Sequence, residues 1–130
     1  MRRAALVAAV AAFVAAPALA AGGPVDAAGV RPTTVYVGAQ LPVLRFHTNR
    51  PATLTLSLVR CGKLCPRGVT VAVLKETFNA GTHTLGIATL LRLGRLTPRV
   101  PRLQPAIYAV VFKQGATVLG STDFGVNGKI

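Results

Sequence analysis

Residues 52–60 constrain the fold more than any other segment, because apolar and polar side chains alternate strictly over its first seven residues, 52–58. Leucines stand at positions 54, 56 and 58, and threonine or serine stands at 53, 55 and 57. Successive side chains of a β-strand point to opposite faces of a sheet, whereas a helix would mix the two sets on one surface. We therefore predict a strand here, with one face in a hydrophobic core and the other toward solvent.

Six further segments have the length and the β-branched or alternating composition of strands. Turn-forming runs such as Asn79-Ala80-Gly81 and Gln114-Gly115-Ala116 separate some of them. The seven predicted strands cover residues 33–37, 43–48, 52–60, 69–76, 83–91, 106–113 and 117–126. No segment combines helical periodicity with capping residues. The pattern predicts an all-β fold, a single antiparallel β-sandwich of seven strands over residues 33–127.

The first twenty residues have the three parts of a secretory signal peptide. Arg2 and Arg3 supply positive charge, residues 4–16 form an uncharged apolar run, and Ala18-Leu19-Ala20 fits cleavage after Ala20. The run is shorter than the roughly 20 residues of a transmembrane helix, which favours cleavage over the alternative of a retained anchor. We expect Sec-type export to a secreted or extracytoplasmic location. The mature chain would then have a flexible lead-in over residues 21–32 and no transmembrane segment.

Cys61 and Cys65 are the two cysteines of the chain. In an exported protein an even cysteine count favours a disulfide. A redox pair normally has two intervening residues instead of three, and a zinc site needs three or four ligands, for which only His47 and His83 are candidates. We predict a structural Cys61–Cys65 disulfide that closes one loop and contributes about 2 kcal/mol.

Three motifs from position 50 onward share the pattern of a known group of domains. Arg50-Pro51-Ala52-Thr53-Leu54-Thr55-Leu56 begins an alternating strand, Ala80-Gly81-Thr82-His83-Thr84-Leu85 contains a turn, and Leu103-Gln104-Pro105-Ala106-Ile107-Tyr108 opens the penultimate strand. They resemble the immunoglobulin-like or fibronectin type III-like repeats of exported bacterial proteins, including the related domain of flagellar hook-capping proteins. The resemblance implies an immunoglobulin-like sandwich that serves as an adhesive, spacer or binding module without active-site residues. It also implies that His83 forms local hydrogen bonds.

The charge of the chain is strongly basic. The net charge is +12, and it falls to +10 once Arg2 and Arg3 are removed with the signal peptide. Guanidinium groups bind carboxylates and phosphates through paired hydrogen bonds. Four arginines lie within residues 92–102, where two prolines exclude a long helix. We predict a basic loop that docks on acidic cell-wall polymers or lipid head groups; the alternative is an ordinary solvated loop. Its candidate binding residues are Arg92, Arg95, Arg99 and Arg102.

Candidate chemistry beyond this loop is sparse. His47, His83 and Asp123 are the residues from which a small metal-binding or hydrolytic protein would be built, and this is the alternative function. His47 shares the polar face of its strand with Arg45, and no Gly-x-Ser-x-Gly motif is present. We expect no enzymatic activity and no cofactor. Export and the lack of interleaved aromatic residues argue against nucleic acid as a partner, and strand addition by a protein at a sheet edge is a further alternative.

Overall fold

The structure, a computed structural model, describes residues 18–96 and 103–128. These ranges contain ten strands and one short helix. The elements are β1 (Ala18–Leu19), β2 (Val25–Arg31), β3 (Thr34–Tyr36), β4 (Val43–Thr48), β5 (Ala52–Cys61), β6 (Gly68–Phe78), β7 (Gly81–Gly86), α1 (Ile87–Leu93), β8 (Arg95–Leu96), β9 (Ala106–Gln114) and β10 (Thr117–Asn127). Eight of these strands exceed two residues, one more than predicted. The all-β class is confirmed.

The strands form two sheets. The large sheet has the order β1-β10-β9-β5-β6-β8, with β3 also paired to β10, and the small sheet has the order β2-β4-β7. All pairings are antiparallel except that of β3, which runs parallel to the end of β10, with Val35 opposite Val126. β1 pairs with an earlier part of β10, at Gly120 and Ser121. The same edge of β10 therefore carries both β1 and β3.

The inner faces of the two sheets pack against each other in one core. Leu54, Leu56 and Leu58 are fully buried, as their alternation predicts. Phe46 of β4 reaches across from the small sheet, and its ring lies 5.3 Å from that of Phe112 in β9, measured between centroids. Since successive side chains alternate between faces, the residues between these core positions point outward. The outer faces of the two sheets consequently point in opposite directions.

The strand predicted for residues 83–91 is wrong in its second half. β7 ends at Gly86, and α1 follows from Ile87 to Leu93. Ile87 and Leu90, three positions apart, lie on one side of this helix and are fully buried. A short apolar run fits a buried strand and a buried helix equally well, so its composition did not distinguish them. No helix in the described ranges is long and apolar enough to cross a membrane.

Residues 21–32 also differ from the flexible lead-in that was predicted. Val25 to Arg31 form β2, which pairs along its length with β4 and buries Val25 and Val30 in the core. These two valines are five positions apart, an odd number that would put them on opposite faces of a regular strand. The pairing shifts by one residue between Val25 and Ala27. This irregularity lets both valines face inward and hides the alternation in the sequence.

The predicted disulfide between Cys61 and Cys65 is confirmed, and it joins the end of β5 to the loop before β6. The two Cα atoms lie 5.0 Å apart. Two backbone hydrogen bonds reinforce the loop: the Gly62 N–H donates to the Arg67 carbonyl at 2.7 Å, and the Arg67 N–H donates to the Leu64 carbonyl at 2.9 Å. The disulfide therefore fixes one connection at the end of the large sheet and lies outside the core.

Candidate functional site

The predicted basic loop is only partly within the described residues. Arg92 lies in the last turn of α1 with its side chain exposed. Arg95 contributes backbone to β8, where it pairs with Val73. Arg99 and Arg102 lie outside the described residues. The assignment of these four arginines to a binding loop therefore stays a prediction.

The three residues of the alternative function lie on three different surfaces. His47 is on the outer face of the small sheet, while His83 is opposite Phe46 and shares its inner face. Asp123 lies between the buried Thr122 and Phe124 on β10, so it points to the outer face of the large sheet. The structure does not bring these side chains together. Within residues 18–96 and 103–128 there is also no group of three or more histidine, cysteine or acidic residues placed to hold a metal ion.

His83 is hydrogen-bonded within its own turn, in agreement with what the resemblance implies. Its Nε2 lies 2.7 Å from the carbonyl oxygen of Asn79. A carbonyl oxygen only accepts, so Nε2 carries the proton and donates. The hydroxyl of Thr48, which is fully buried, donates to the same carbonyl at 2.8 Å and lies 3.1 Å from Nε2. The imidazole and the hydroxyl thus satisfy the polar groups of the turn before β7, which is a structural role.

His47 pairs with the acidic side chain of Asp26. Its Nδ1 lies 2.6 Å from Oδ1 of Asp26, and both side chains are about half exposed. The carboxylate accepts this hydrogen bond, so Nδ1 carries the proton. The hydrogen bond from His47 holds the pKa of Asp26 below its ordinary value of 3.8. Asp26 is therefore ionised at neutral pH, and the imidazole occupies one of its oxygens.

A shallow basic depression of about 620 Å³ lies on the outer face of the small sheet. At its centre Arg45 of β4 is paired with Gly29 on β2 and with Thr84 on β7. Paired residues share one face of a sheet, and a glycine beside Arg45 leaves open space, since a Cβ atom there would meet nothing within 4 Å. We call this surface the arginine face. It consists of Ala27, Gly29, Arg31, Val43, Arg45, His47, Thr82 and Thr84.

Arg31 and Arg45 lie close enough on this face to act together. Arg31 is directly opposite Val43, which precedes Arg45 by two residues on β4. Diagonal neighbours of this kind are roughly 7–8 Å apart across two strands. Both arginine side chains are exposed. The arginine face therefore presents two exposed arginine side chains from neighbouring positions of β2 and β4.

A second basic surface lies on the outer face of the large sheet, beside a depression of about 630 Å³. Thr55 of β5 is directly opposite Lys75 on β6 and Lys113 on β9. Next to this row, the hydroxyls of Thr53 and Thr77 are hydrogen-bonded at 2.8 Å. We call this surface the lysine face. It consists of Thr53, Thr55, Lys75, Thr77 and Lys113.

Asp123 shares the outer surface of the large sheet but is remote from the lysine face. It is opposite Ala109, which is four residues before Lys113 on β9, a distance of about 13 Å along a strand. Burial raises the pKa of this half-buried carboxyl above its ordinary value of 3.8. The carboxylate therefore does not neutralise the lysines at close range.

Of the residues on the two faces, His47 alone was a candidate functional residue from the sequence. Alternation placed Arg45 on the polar side of its strand, but a lone arginine in a basic chain is not a signal by itself. The faces form because the chain pairs β2 with β4 and β6 with β5, bringing Arg31 to Arg45 and Lys75 to Thr55.

No model of a known protein family matches the chain, and no curated protein matches it. Function is therefore inferred from the geometry and charge of the two faces.

Proposed function

We propose that this chain is a non-catalytic, immunoglobulin-like binding module that acts outside the cytoplasm and attaches to acidic cell-wall polymers. The observation that carries the proposal is the arginine face. Arg31 and Arg45 project from it. The chain has three acidic residues whose charge could neutralise these arginines. Two of these, Glu76 and Asp123, are on the large sheet, and the third, Asp26, accepts a hydrogen bond from His47. The guanidinium groups are thus available to an external anion.

Strand order supports the immunoglobulin-like part of the proposal. The order β10-β9-β5-β6 corresponds to strands G-F-C-C′ of such sandwiches, and β2-β4-β7 corresponds to A-B-E. The Tyr108 hydroxyl donates to the carbonyl oxygen of Gln104, four residues upstream, at 2.8 Å. Immunoglobulin-like sandwiches have such a tyrosine corner at the start of strand F. Both features agree with the resemblance of the three sequence motifs.

The chemistry of the arginine face supports an acidic polymer as the ligand. A planar guanidinium matches a carboxylate or phosphate with two parallel hydrogen bonds. Thr82 and Thr84 add hydroxyl groups on the same face, next to His47 and Arg45. Three strands span roughly 10 Å, so an extended polymer lying across them meets both arginines. A polymer with repeated acidic groups therefore binds more tightly than a single carboxylate, because its groups bind together.

Export is supported by two features of the sequence. The basic start, apolar run and small residues of positions 1–20 have the pattern of a signal peptide. The Cys61–Cys65 disulfide suits an oxidising compartment. A location outside the cytoplasm also brings the module to the acidic polymers of the cell wall.

The test is a binding measurement with polygalacturonate, using protein purified from cells that express the full chain. We expect binding at 50 mM salt that weakens steeply toward 500 mM, since exposed charges are screened over a few ångströms at high salt. Arg31→Gln/Arg45→Gln should reduce affinity about tenfold. The matched control, Lys63→Gln/Arg67→Gln, removes two exposed charges from the disulfide loop and should reduce it less than twofold.

Three results would contradict the proposal. Equal losses in the two double variants would show that net charge, and not the arginine face, governs binding. Absence of polymer binding at 50 mM salt would reject the acidic polymer. Binding to vesicles of phosphatidylglycerol without binding to polygalacturonate would identify lipid head groups as the ligand instead.

A further inference from the structure

We infer that one molecule binds two acidic polymer chains at the same time, one on the arginine face and one on the lysine face, and so cross-links them. This inference rests on the proposed function, because it takes the same class of ligand. It adds a second binding surface and a mechanical consequence, the joining of neighbouring polymers.

The two faces are on opposite sides of the molecule. Arg45 lies between Leu44 and Phe46 on β4, and Thr55 lies between Leu54 and Leu56 on β5, with all four of these apolar neighbours fully buried or nearly so. Arg45 and Thr55 therefore point away from the common core in opposite directions. Packed sheets are about 10 Å apart, and this separation keeps the two faces apart. One polymer on each face is thus sterically compatible with the other.

The lysine face has the composition of a second anion-binding surface. Lys75 and Lys113 flank Thr55 from the two neighbouring strands, which places their backbones roughly 10 Å apart. The Lys75 side chain is exposed and that of Lys113 is partly exposed. Threonine hydroxyls fill the surface between and beside them. Two ammonium groups around a row of hydroxyls complement a polymer that carries acidic groups and alcohol groups.

Acidic side chains do not cancel this charge. Glu76 follows Lys75 on β6 and is paired with Leu54, so it points to the other side of the sheet. Asp123 is separated from Lys113 by the length of four residues on β9. Asp26 is on the small sheet. Each of the three acidic residues of the chain is therefore off the lysine face.

The opposed arrangement also favours polymers over a membrane surface. A planar bilayer contacts one side of a small domain at a time, so a module for lipid head groups would gain from basic groups gathered on one side. Here the two basic faces are turned away from each other. A meshwork of polymer chains approaches from all sides and engages both faces.

The test is a two-step capture experiment. Polygalacturonate is immobilised, loaded with protein purified from cells that express the full chain, and then exposed to fluorescently labelled polygalacturonate. We expect the wild-type protein to capture the labelled polymer. Arg31→Gln/Arg45→Gln and Lys75→Gln/Lys113→Gln should each still bind the immobilised polymer, through the face that remains. At equal protein loading, each should capture at least tenfold less labelled polymer.

The control and the contradicting outcomes separate this inference from the proposed function. Lys63→Gln/Arg67→Gln should capture labelled polymer as the wild type does, and thermal unfolding should show that all variants are folded. Wild-type binding without capture would overturn cross-linking and leave the proposed function intact. Capture that persists with Lys75→Gln/Lys113→Gln would overturn the lysine face as the second site. Absence of binding in the first step would reject the proposed function itself.

Discussion

The imidazole of His47 donates a hydrogen bond to the carboxylate of Asp26 across the β2–β4 pair, with 2.6 Å between Nδ1 and Oδ1. The contact lies beside the point where the pairing of these strands shifts, between Val25 and Ala27. It links the start of β2 to β4. It also engages one carboxylate oxygen of Asp26, the acidic residue that lies next to the arginine face. The irregularity that breaks the alternation of β2 therefore coincides with this hydrogen bond, since Asp26 is the residue between Val25 and Ala27.

The first prediction concerns the titration of Asp26. The hydrogen bond from His47 lowers the pKa of Asp26 below 3.8, so we expect His47→Ala to raise this pKa toward 3.8. Because the pKa is lower in the folded state, the contact stabilises the fold above the ordinary pKa and loses its effect as pH falls through the folded value. An NMR titration of the Asp26 side-chain carbon from pH 2 to 6 measures the shift. The Asp123 titration serves as the control, and an unchanged Asp26 midpoint would contradict the prediction.

The second prediction has the opposite sign. Burial raises the pKa of Asp123, so the folded state disfavours its ionised form, and this cost is largest at neutral pH. We expect Asp123→Asn to stabilise the protein at pH 7 by less than about 1 kcal/mol, because solvent still reaches the carboxylate. The advantage of the variant should shrink as pH falls through the pKa of Asp123.

Urea unfolding at several pH values tests this second prediction. Glu76→Gln is the matched control, since Glu76 is exposed on β6 of the same sheet, and its replacement should change stability little at any pH. Destabilisation by Asp123→Asn at pH 7 would show that the carboxylate makes a favourable contact in the folded protein.

The third prediction concerns the aromatic contact between the sheets. The Phe46 ring packs against those of Phe78, Phe112 and His83, with centroid distances of 5.1, 5.3 and 5.2 Å. Phe46→Ala removes this contact and leaves a cavity where the sheets meet, and we expect a loss of about 3–5 kcal/mol. Urea unfolding followed by circular dichroism measures it. Val118→Ala, at a side chain that is 54% exposed, is the control and should cost less than about 0.5 kcal/mol. Similar losses would contradict the assignment of Phe46 to the core.

Local patterns in the sequence were enough for the features that depend on neighbouring residues. The alternation of Leu54, Leu56 and Leu58 predicted a half-buried strand. The even cysteine count of an exported chain, together with the spacing of Cys61 and Cys65, predicted the disulfide. The prediction failed where local patterns are ambiguous. The run from Ile87 to Leu93 is apolar enough for a strand or a helix, and packing against the core selects the helix. In β2 the irregularity after Val25 breaks the period of two.

The basic faces were beyond prediction for a different reason. Alternation assigns Arg45 to the outside of β4, but it does not say which strands lie beside β4. Arg31 and Thr84 come from β2 and β7, on either side of it in the small sheet. Lys75 and Lys113 likewise lie on either side of Thr55 because β6 and β9 are the neighbours of β5 in the large sheet. A site composed of single residues from several strands requires knowledge of the topology.

The fourth prediction concerns the disulfide loop. Replacing Cys61 and Cys65 with serine releases the loop between β5 and β6 in the unfolded chain, and the loop-entropy relation gives a loss of about 2 kcal/mol. Polymer binding should not change, because the loop is outside both basic faces. Urea unfolding and the polygalacturonate assay measure the two effects. Treatment of the wild type with reductant is the control and should reproduce the loss. A loss of binding in the variant would place this loop in the ligand site.

The fifth prediction concerns the N-terminus. Cleavage after Ala20 would remove β1 and the hydrogen bond from the Ala20 N–H to the Leu119 carbonyl. Within the described residues β1 pairs with β10 at two positions, while β2 retains its pairing with β4, so the core should survive the cut. We expect mass spectrometry of the protein exported from cells expressing the full chain to show a mature chain that begins at Ala21. Ala18→Arg/Ala20→Arg is the matched variant, because bulky charged residues at these positions block recognition of the small-residue pattern, and its exported fraction should keep residues 1–20. A wild-type chain that keeps its first residues would identify the apolar run as a retained anchor, attached next to the edge of β10.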